Sequence, residues 1–451
     1  MAFLHETPEC VCLSHVLVPS WRFIFRTTPV EADVLFPLSN LLWSQLVPSL
    51  LGWNPLDHDL RERVALPVRY AGLGLLDPLV MLETERRESD LLVQQVVDCL
   101  VISPPPPFSI SASAAHKARR QRWERRDKVL KEQADRLLES YPPGRARTAF
   151  LEAMMPGGST WLSRSPRTSI NNHVSRQVFR DVVAMRFGVP PPDPLPNICP
   201  SCGDPANLDH LLSCKHGGFV NVRHNDVVNT WFSLSKSAGF VTDKEVPLPY
   251  NSPETSMSAN DPDELEARIP GALEARPDLA IRGLLQPQST HWCDVAVMDT
   301  GAPTYLRMTP LAALKQAELK KYRKYESRLG TESFSPLVMS VYGTLGPSAL
   351  SVARRIARTV DPSCEPDDPA LELHYCAVQV AALQAVSWCL RGRHLRPSRR
   401  ARARELVNVF HEAQVSDAVF APSLEMMSPA PFSGTSSFPL PGSPPMTASA
   451  V

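Results

Sequence analysis

The chain lacks an excess of charge of either sign. Its 451 residues carry 47 Lys+Arg and 47 Asp+Glu, a formal net charge of zero. Bulk electrostatics therefore gives no argument for a nucleic-acid partner, and any such argument must come from local patches. No unbroken run of ~18 apolar residues is present, so the sequence predicts no membrane span. The start, Met-Ala-Phe-Leu-His-Glu-Thr-Pro, lacks a basic segment followed by an apolar stretch, so no secretory leader is expected. No internal repeat is visible. Ten cysteines in a chain of this length do not make a disulfide scaffold. Seven of them (Cys10, Cys12, Cys99, Cys293, Cys364, Cys376, Cys389) lie scattered among apolar residues and read as small buried hydrophobes. A reducing compartment, cytosol or nucleus, follows.

What is abundant is proline, 45 residues, about twice the usual ~5% share. That excess points to long loops and linkers between several small units. Hydrophobic content of 43% allows real cores. The reading is α+β, in six parts. Residues 1–105 are apolar and helical in period. Residues 113–190 are helical and include a basic helix from 113 to 140 carrying Arg119, Arg122 and Arg126, with Trp123 among them. A small Cys/His module covers 197–224. An α/β domain covers 225–345, where strand, strand, helix and strand succeed one another. A helical region covers 347–413, and residues 414–451 form a Pro/Ser/Ala-rich tail expected to be disordered. The polar stretch 251–275 reads as a mobile insertion.

Two constellations carry chemistry. Cys199-x2-Cys202-x7-His210-x3-Cys214 has the ligand types and spacing of a structural, tetrahedral zinc site. His210 and Cys214 are four apart, on one face of a helical turn. A module this short cannot bury a core, so zinc would supply its folding energy. His216 and His224 are rival ligands. Further on, Arg276-Pro277-Asp278 precedes an apolar strand, and after 15 intervening residues Asp294 opens Asp294-Val295-Ala296-Val297. This resembles the PD…(D/E)xK arrangement of restriction-type nucleases, in which two carboxylates on adjacent strands hold a divalent cation. Hard Mg²⁺ takes such oxygen ligands. Ala296 stands where the usual lysine would be. Lys320, Lys321 and Lys324, on the helix that follows, are substitutes, and Glu245 is a candidate third acid.

The order of these pieces resembles the C-terminal region of non-LTR retrotransposon proteins with a restriction-enzyme-like endonuclease, the R2-like type. The matching stretches begin with Leu66-Pro67-Val68-Arg69-Tyr70-Ala71-Gly72-Leu73-Gly74 and Gly157-Gly158-Ser159-Thr160-Trp161-Leu162. They continue through the Cys/His module, His216-Gly217-Gly218, Arg223-His224-Asn225, Arg276-Pro277-Asp278, Asp294-Val295 and Glu318-x2-Lys321-x3-Tyr325-x2-Arg328, and end at Phe334-x-Pro336-Leu337-Val338. The resemblance implies a helical thumb and linker, a CCHC zinc knuckle and a nuclease that nicks target DNA to prime reverse transcription of the element's RNA in the nucleus. It implies Asp278 and Asp294 as magnesium ligands and Lys321 as the catalytic lysine. Arg223 and His224 would contact DNA or pack the knuckle, with Arg119, Arg122 and Arg126 adding nucleic-acid contacts. The chain departs from the family at Leu319 and Tyr322, and it has no Tyr/Phe-x-Asp-Asp polymerase motif. The alternative is a nucleic-acid-binding remnant without hydrolysis, keeping the knuckle, the basic helix and the arginines from Arg391 to Arg404.

Overall fold

Apolar residues at helical spacing dominate the first two hundred positions, and helices result. The structure is a computed structural model that describes residues 18–53, 56–101, 112–163, 174–246, 276–325, 329, 333–363 and 369–392. The expected insertion at 251–275, the tail 414–451 and the arginines beyond Arg391 lie outside the described residues. The chain forms α1 (Val18–Thr27), α2 (Ala32–Leu41), a π-helical turn (Leu42–Leu46), α3 (Val47–Leu51), α4 (His58–Ala65), α5 (Pro78–Val101), α6 (Ala112–Ser140), α7 (Arg145–Met154), α8 (Thr160–Ser163), α9 (Arg176–Phe187), α10 (Leu208–Ser213) and α11 (Phe219–Ser237). Then come β1 (Val241–Lys244), β2 (Leu279–Arg282), β3 (Thr290–Met298), α12 (Pro310–Tyr325), β4 (Phe334–Ser340), α13 (Pro347–Val360) and α14 (Pro369–Arg391). Helices with a small mixed sheet make the class α+β.

Ala32–Leu51 is nearly continuous helix, 20 residues long, and a mean hydropathy of 1.3 over its most apolar window makes it long and apolar enough to cross a membrane. Polar residues interrupt its apolar run, so the sequence did not single it out. Leu42, Trp43, Val47, Leu50 and Leu51 from this stretch are buried in a core shared with Trp53, Leu73, Trp161, Phe179, Val183 and Phe187. Cys376, Val380 and Leu383 of α14 join the same core. The first helices, the 148–190 helices and the late helix thus bury one another, although the sequence reading assigned them to separate units.

The sheet order is β1-β2-β3-β4. The first three strands run antiparallel and β4 lies parallel to β3. A parallel neighbour needs a crossover, and α12 supplies it. Alternation along β3 sorts the two faces. Cys293 and Val295 face a core with Val227 and Trp231 of α11, Val352 and Ile356 of α13, and Val378 and Ala382 of α14. Trp292 faces the other way, packing with Ala280, Phe334 and Tyr325 of α12. The register Leu279↔Cys293 ends the β2–β3 ladder. Asp278 immediately precedes Leu279 and Asp294 immediately follows Cys293, so both lie at this end of the ladder.

Candidate functional site

The knuckle is built by a tight turn followed by one helical turn. Cys199 N–H donates to Asp204 O (2.8 Å) and Gly203 N–H to Cys199 O (2.9 Å). Gly203 has φ +81°, a backbone state that favours glycine. The Asn207 side chain caps α10 by accepting from His210 N (2.8 Å), which orients His210 toward the turn. Cys199, Cys202, His210 and Cys214 then converge, with their ligand atoms all within 4.8 Å of one another. Cys214 Sγ lies 3.8 Å from both Cys199 Sγ and Cys202 Sγ. For zinc–sulfur bonds of about 2.3 Å, the edge of a tetrahedron is about 3.8 Å, so the thiols fit a zinc ion. Burial alone would raise the Cys199 thiol, but the backbone N–H groups of Ser201 and Cys202 and the side chains of His210 and Cys202 bring it down to about 6. A thiolate is the state a metal requires. His216 is exposed and His224 points elsewhere, so neither replaces a ligand here.

Asp278 and Asp294 both lie at the β2–β3 end of the sheet, and Lys321 reaches Asp294. Asp278 Oδ2 accepts from Val295 N (2.6 Å), which ties its carboxylate to the strand bearing Asp294. Asp278 Oδ1 lies 3.1 Å from His224 Nε2. Asp294 is buried; its Oδ2 accepts from Lys321 Nζ, and its Oδ1 accepts from Tyr325 Oη at 2.5 Å. Lys321 and Tyr325 are one helical turn apart on α12, so both reach the same carboxylate. Of the three candidate lysines, Lys320 is exposed and Lys324 Nζ donates to Tyr325 Oη (3.1 Å). Lys321 is the one on an aspartate.

Glu245 is placed differently from expectation. It follows β1 at φ +53°, its side chain is exposed, and its link to the site is a backbone bond, Glu245 N to Asp278 O at 3.1 Å. Arg223 is 4% exposed and donates from Nη1 to Leu212 O (3.0 Å). It packs the knuckle and offers no surface to DNA. A signal for this existed in the sequence: Arg223, Val227 and Trp231 fall on one helical stripe, and the latter two are core. Arg126 likewise shares a stripe with Leu130 and Ala134. With Arg22 and Arg26 it surrounds the buried Glu85, to which it donates at 2.7 Å. Arg391 pairs with the buried Asp181 and donates to the carbonyls of Asp193 and Pro194. Arg119 and Arg122 lie on α6, and their side chains are outside the described residues.

Two features escaped sequence reasoning. Tyr325 entered the sequence reading only as part of the stretch Glu318-x2-Lys321-x3-Tyr325, yet its hydroxyl holds Asp294. Arg145 bridges Asp209, next to His210 of the candidate metal cluster, and Asp299 beyond β3, with Tyr342 Oη at 3.2 Å. These partners are 64 and 154 residues away in sequence, a distance at which no local pattern reports contact. No family model matches the chain, and no curated protein matches it.

Proposed function

We propose that the chain carries a divalent-metal-dependent DNA endonuclease, and more particularly the nuclease portion of an R2-like retrotransposon protein that nicks target DNA to prime reverse transcription. One observation carries this reading: Asp278 accepts from the Val295 N–H, next to Asp294 on β3, and Asp294 in turn accepts from the Lys321 amine. Each carboxylate oxygen has two lone-pair sites, so the four contacts to Val295, His224, Lys321 and Tyr325 leave room for a hard cation. Bound there, magnesium would activate water and draw charge from a phosphoryl oxygen. Lys321 stands where it can stabilise charge on the scissile phosphate. Tyr325 holds one oxygen of the Asp294 carboxylate. Zinc at the knuckle has a structural role.

The test is nicking of supercoiled plasmid DNA in Mg²⁺ by the full chain beside Asp278→Ala, Asp294→Ala and Lys321→Ala. The aspartate variants are expected to fall to background, and Lys321→Ala by on the order of 100–1,000-fold. Equal cutting by Asp278→Ala would defeat the reading. A second reading has its own support: the four protein contacts already balance both aspartates without an ion. It makes the chain a nucleic-acid-binding remnant for DNA or element RNA, and in that case wild type binds DNA but leaves the plasmid intact.

A further inference from the structure

The nuclease aspartates are reached from both sides of the sheet. Lys321 and Tyr325 approach from α12. From the other side comes α11, whose Val227 and Trp231 pack under β2 and β3. Its first turns put two consecutive residues to different uses. Arg223 Nη1 donates to Leu212 O at 3.0 Å, fixing the helix against the last turn of α10, between the zinc ligands His210 and Cys214. His224 Nε2 meets Asp278 Oδ1 at 3.1 Å. Asp278 stands just ahead of β2, so the strand ladder does not fix it. Val295 N–H holds one of its oxygens; His224 holds the other. A carboxylate only accepts, so Nε2 carries the hydrogen in this bond.

Resting on the nuclease reading above, we propose that His224 is a positioning residue for that site. It orients the Asp278 carboxylate for a divalent cation, and its own place is set by the zinc knuckle through Arg223. The physical ground is general: groups that hydrogen-bond a ligating carboxylate fix its rotamer and lone-pair direction, and losing one typically costs 10–100-fold in metal affinity or activity. The chemistry also argues against a DNA contact for His224. Its ring nitrogen is engaged by an anion, its side chain is only 35% exposed, and Asp278 is 18% exposed.

The experiment uses the zinc-loaded full chain as wild type, His224→Ala, His224→Gln and Asp278→Ala, each checked for an unchanged melting temperature of the whole. Two readouts are taken: nicking kinetics in Mg²⁺, and Mn²⁺ binding by calorimetry. His224→Ala is expected to lower kcat by roughly 10–100-fold and weaken Mn²⁺ by about 10-fold, with KM for DNA unchanged. Gln, which offers an amide N–H at nearly the same place, is expected to recover most of both. Wild-type values in His224→Ala, or a rise in KM alone, would overturn the proposal, the latter making His224 a DNA contact. Failure of Gln to recover either quantity would overturn it as well. If wild type does not nick but Mn²⁺ binding depends on Asp278, hydrolysis falls and the Mn²⁺ values of the His224 variants decide the positioning role. If Asp278→Ala matches wild type in both readouts, the nuclease reading falls and the positioning role with it.

Discussion

Glu152 on α7 is fully buried, and its carboxyl accepts from the hydroxyls of Thr300 and Ser340. Burial pushes its pKa up to about 7; the hydroxyls pull the other way, and Asp299 adds to the rise. Between pH of about 4.5 and 7, the unfolded chain gives up this proton while the folded chain keeps it. Stability from this group is therefore present at low pH and lost as pH rises through that window. His291, pushed down to about 4 by burial, works in the opposite sense: stability is lost as pH falls from about 6.5 to 4. Glu152→Gln keeps the shape of the group and removes its titration. Melting temperatures of wild type and variant from pH 5 to 8 are expected to converge or cross in favour of Gln as pH rises, by an equivalent of on the order of 1–3 kcal/mol. Parallel curves would show that Glu152 ionises as freely folded as unfolded. The same scale explains why charged residues misled the sequence reading. Arg126 looked like a phosphate contact by type, whereas a buried carboxylate claims it, and of the two roles the resemblance implied for Arg223, DNA contact or knuckle packing, its bond to the Leu212 carbonyl is the packing one.

At the scale of elements, the turn after α4 shows what a local motif can and cannot say. Leu66 to Gly74 read as a glycine-bearing turn, and it is one: a 3-10 turn from Val68 to Tyr70 is followed by Ala71 at φ 66°. Gly72 is required because a Cβ there would meet Leu66 O at 1.8 Å. The turn is then clamped from α9, where Arg186 Nη2 donates to Val68 O (3.0 Å) and Arg63 donates to Phe187 O (3.0 Å). Gly72→Ala forces backbone apart at this clamp and is expected to destabilise the chain by about 1–3 kcal/mol or more, read as a lower denaturation midpoint. An unchanged midpoint would mean the turn has slack. The strands followed their patterns for similar reasons. Leu279 begins β2 as expected, but β2 stops at Arg282 because Gly283 turns the chain at φ +80°. Buried strands show as apolar runs whatever their partners, whereas their order and direction depend on which edges meet.

For the molecule as a whole, the Cys/His module is held into the rest by packing and an ion pair. Leu211 and Leu212 pack with Val341, Val386 and Leu390, and Arg145 ties Asp209 to Asp299. Zinc is expected at one equivalent per chain, lost on Cys202→Ser or with a chelator and measured by elemental analysis. Because the module has so little core of its own, metal loss is expected to open it to protease between residues 199 and 214. The described helices outside it should keep their circular dichroism. Retained zinc in Cys202→Ser would place the metal elsewhere.

The sequence by itself determined the types of element and the four side chains of the candidate metal cluster. Each of these follows from spacing along a single turn, strand or hairpin, where backbone geometry converts sequence distance into space. Tertiary structure decided that Tyr325 joins Lys321 on Asp294, that His224 faces Asp278 across 54 residues, and that Arg126 and Arg391 hold the protein's own carbonyls and carboxylates. Those outcomes depend on which helix face meets which sheet face. That choice is made by the total apolar area the chain can bury, a sum no short motif contains.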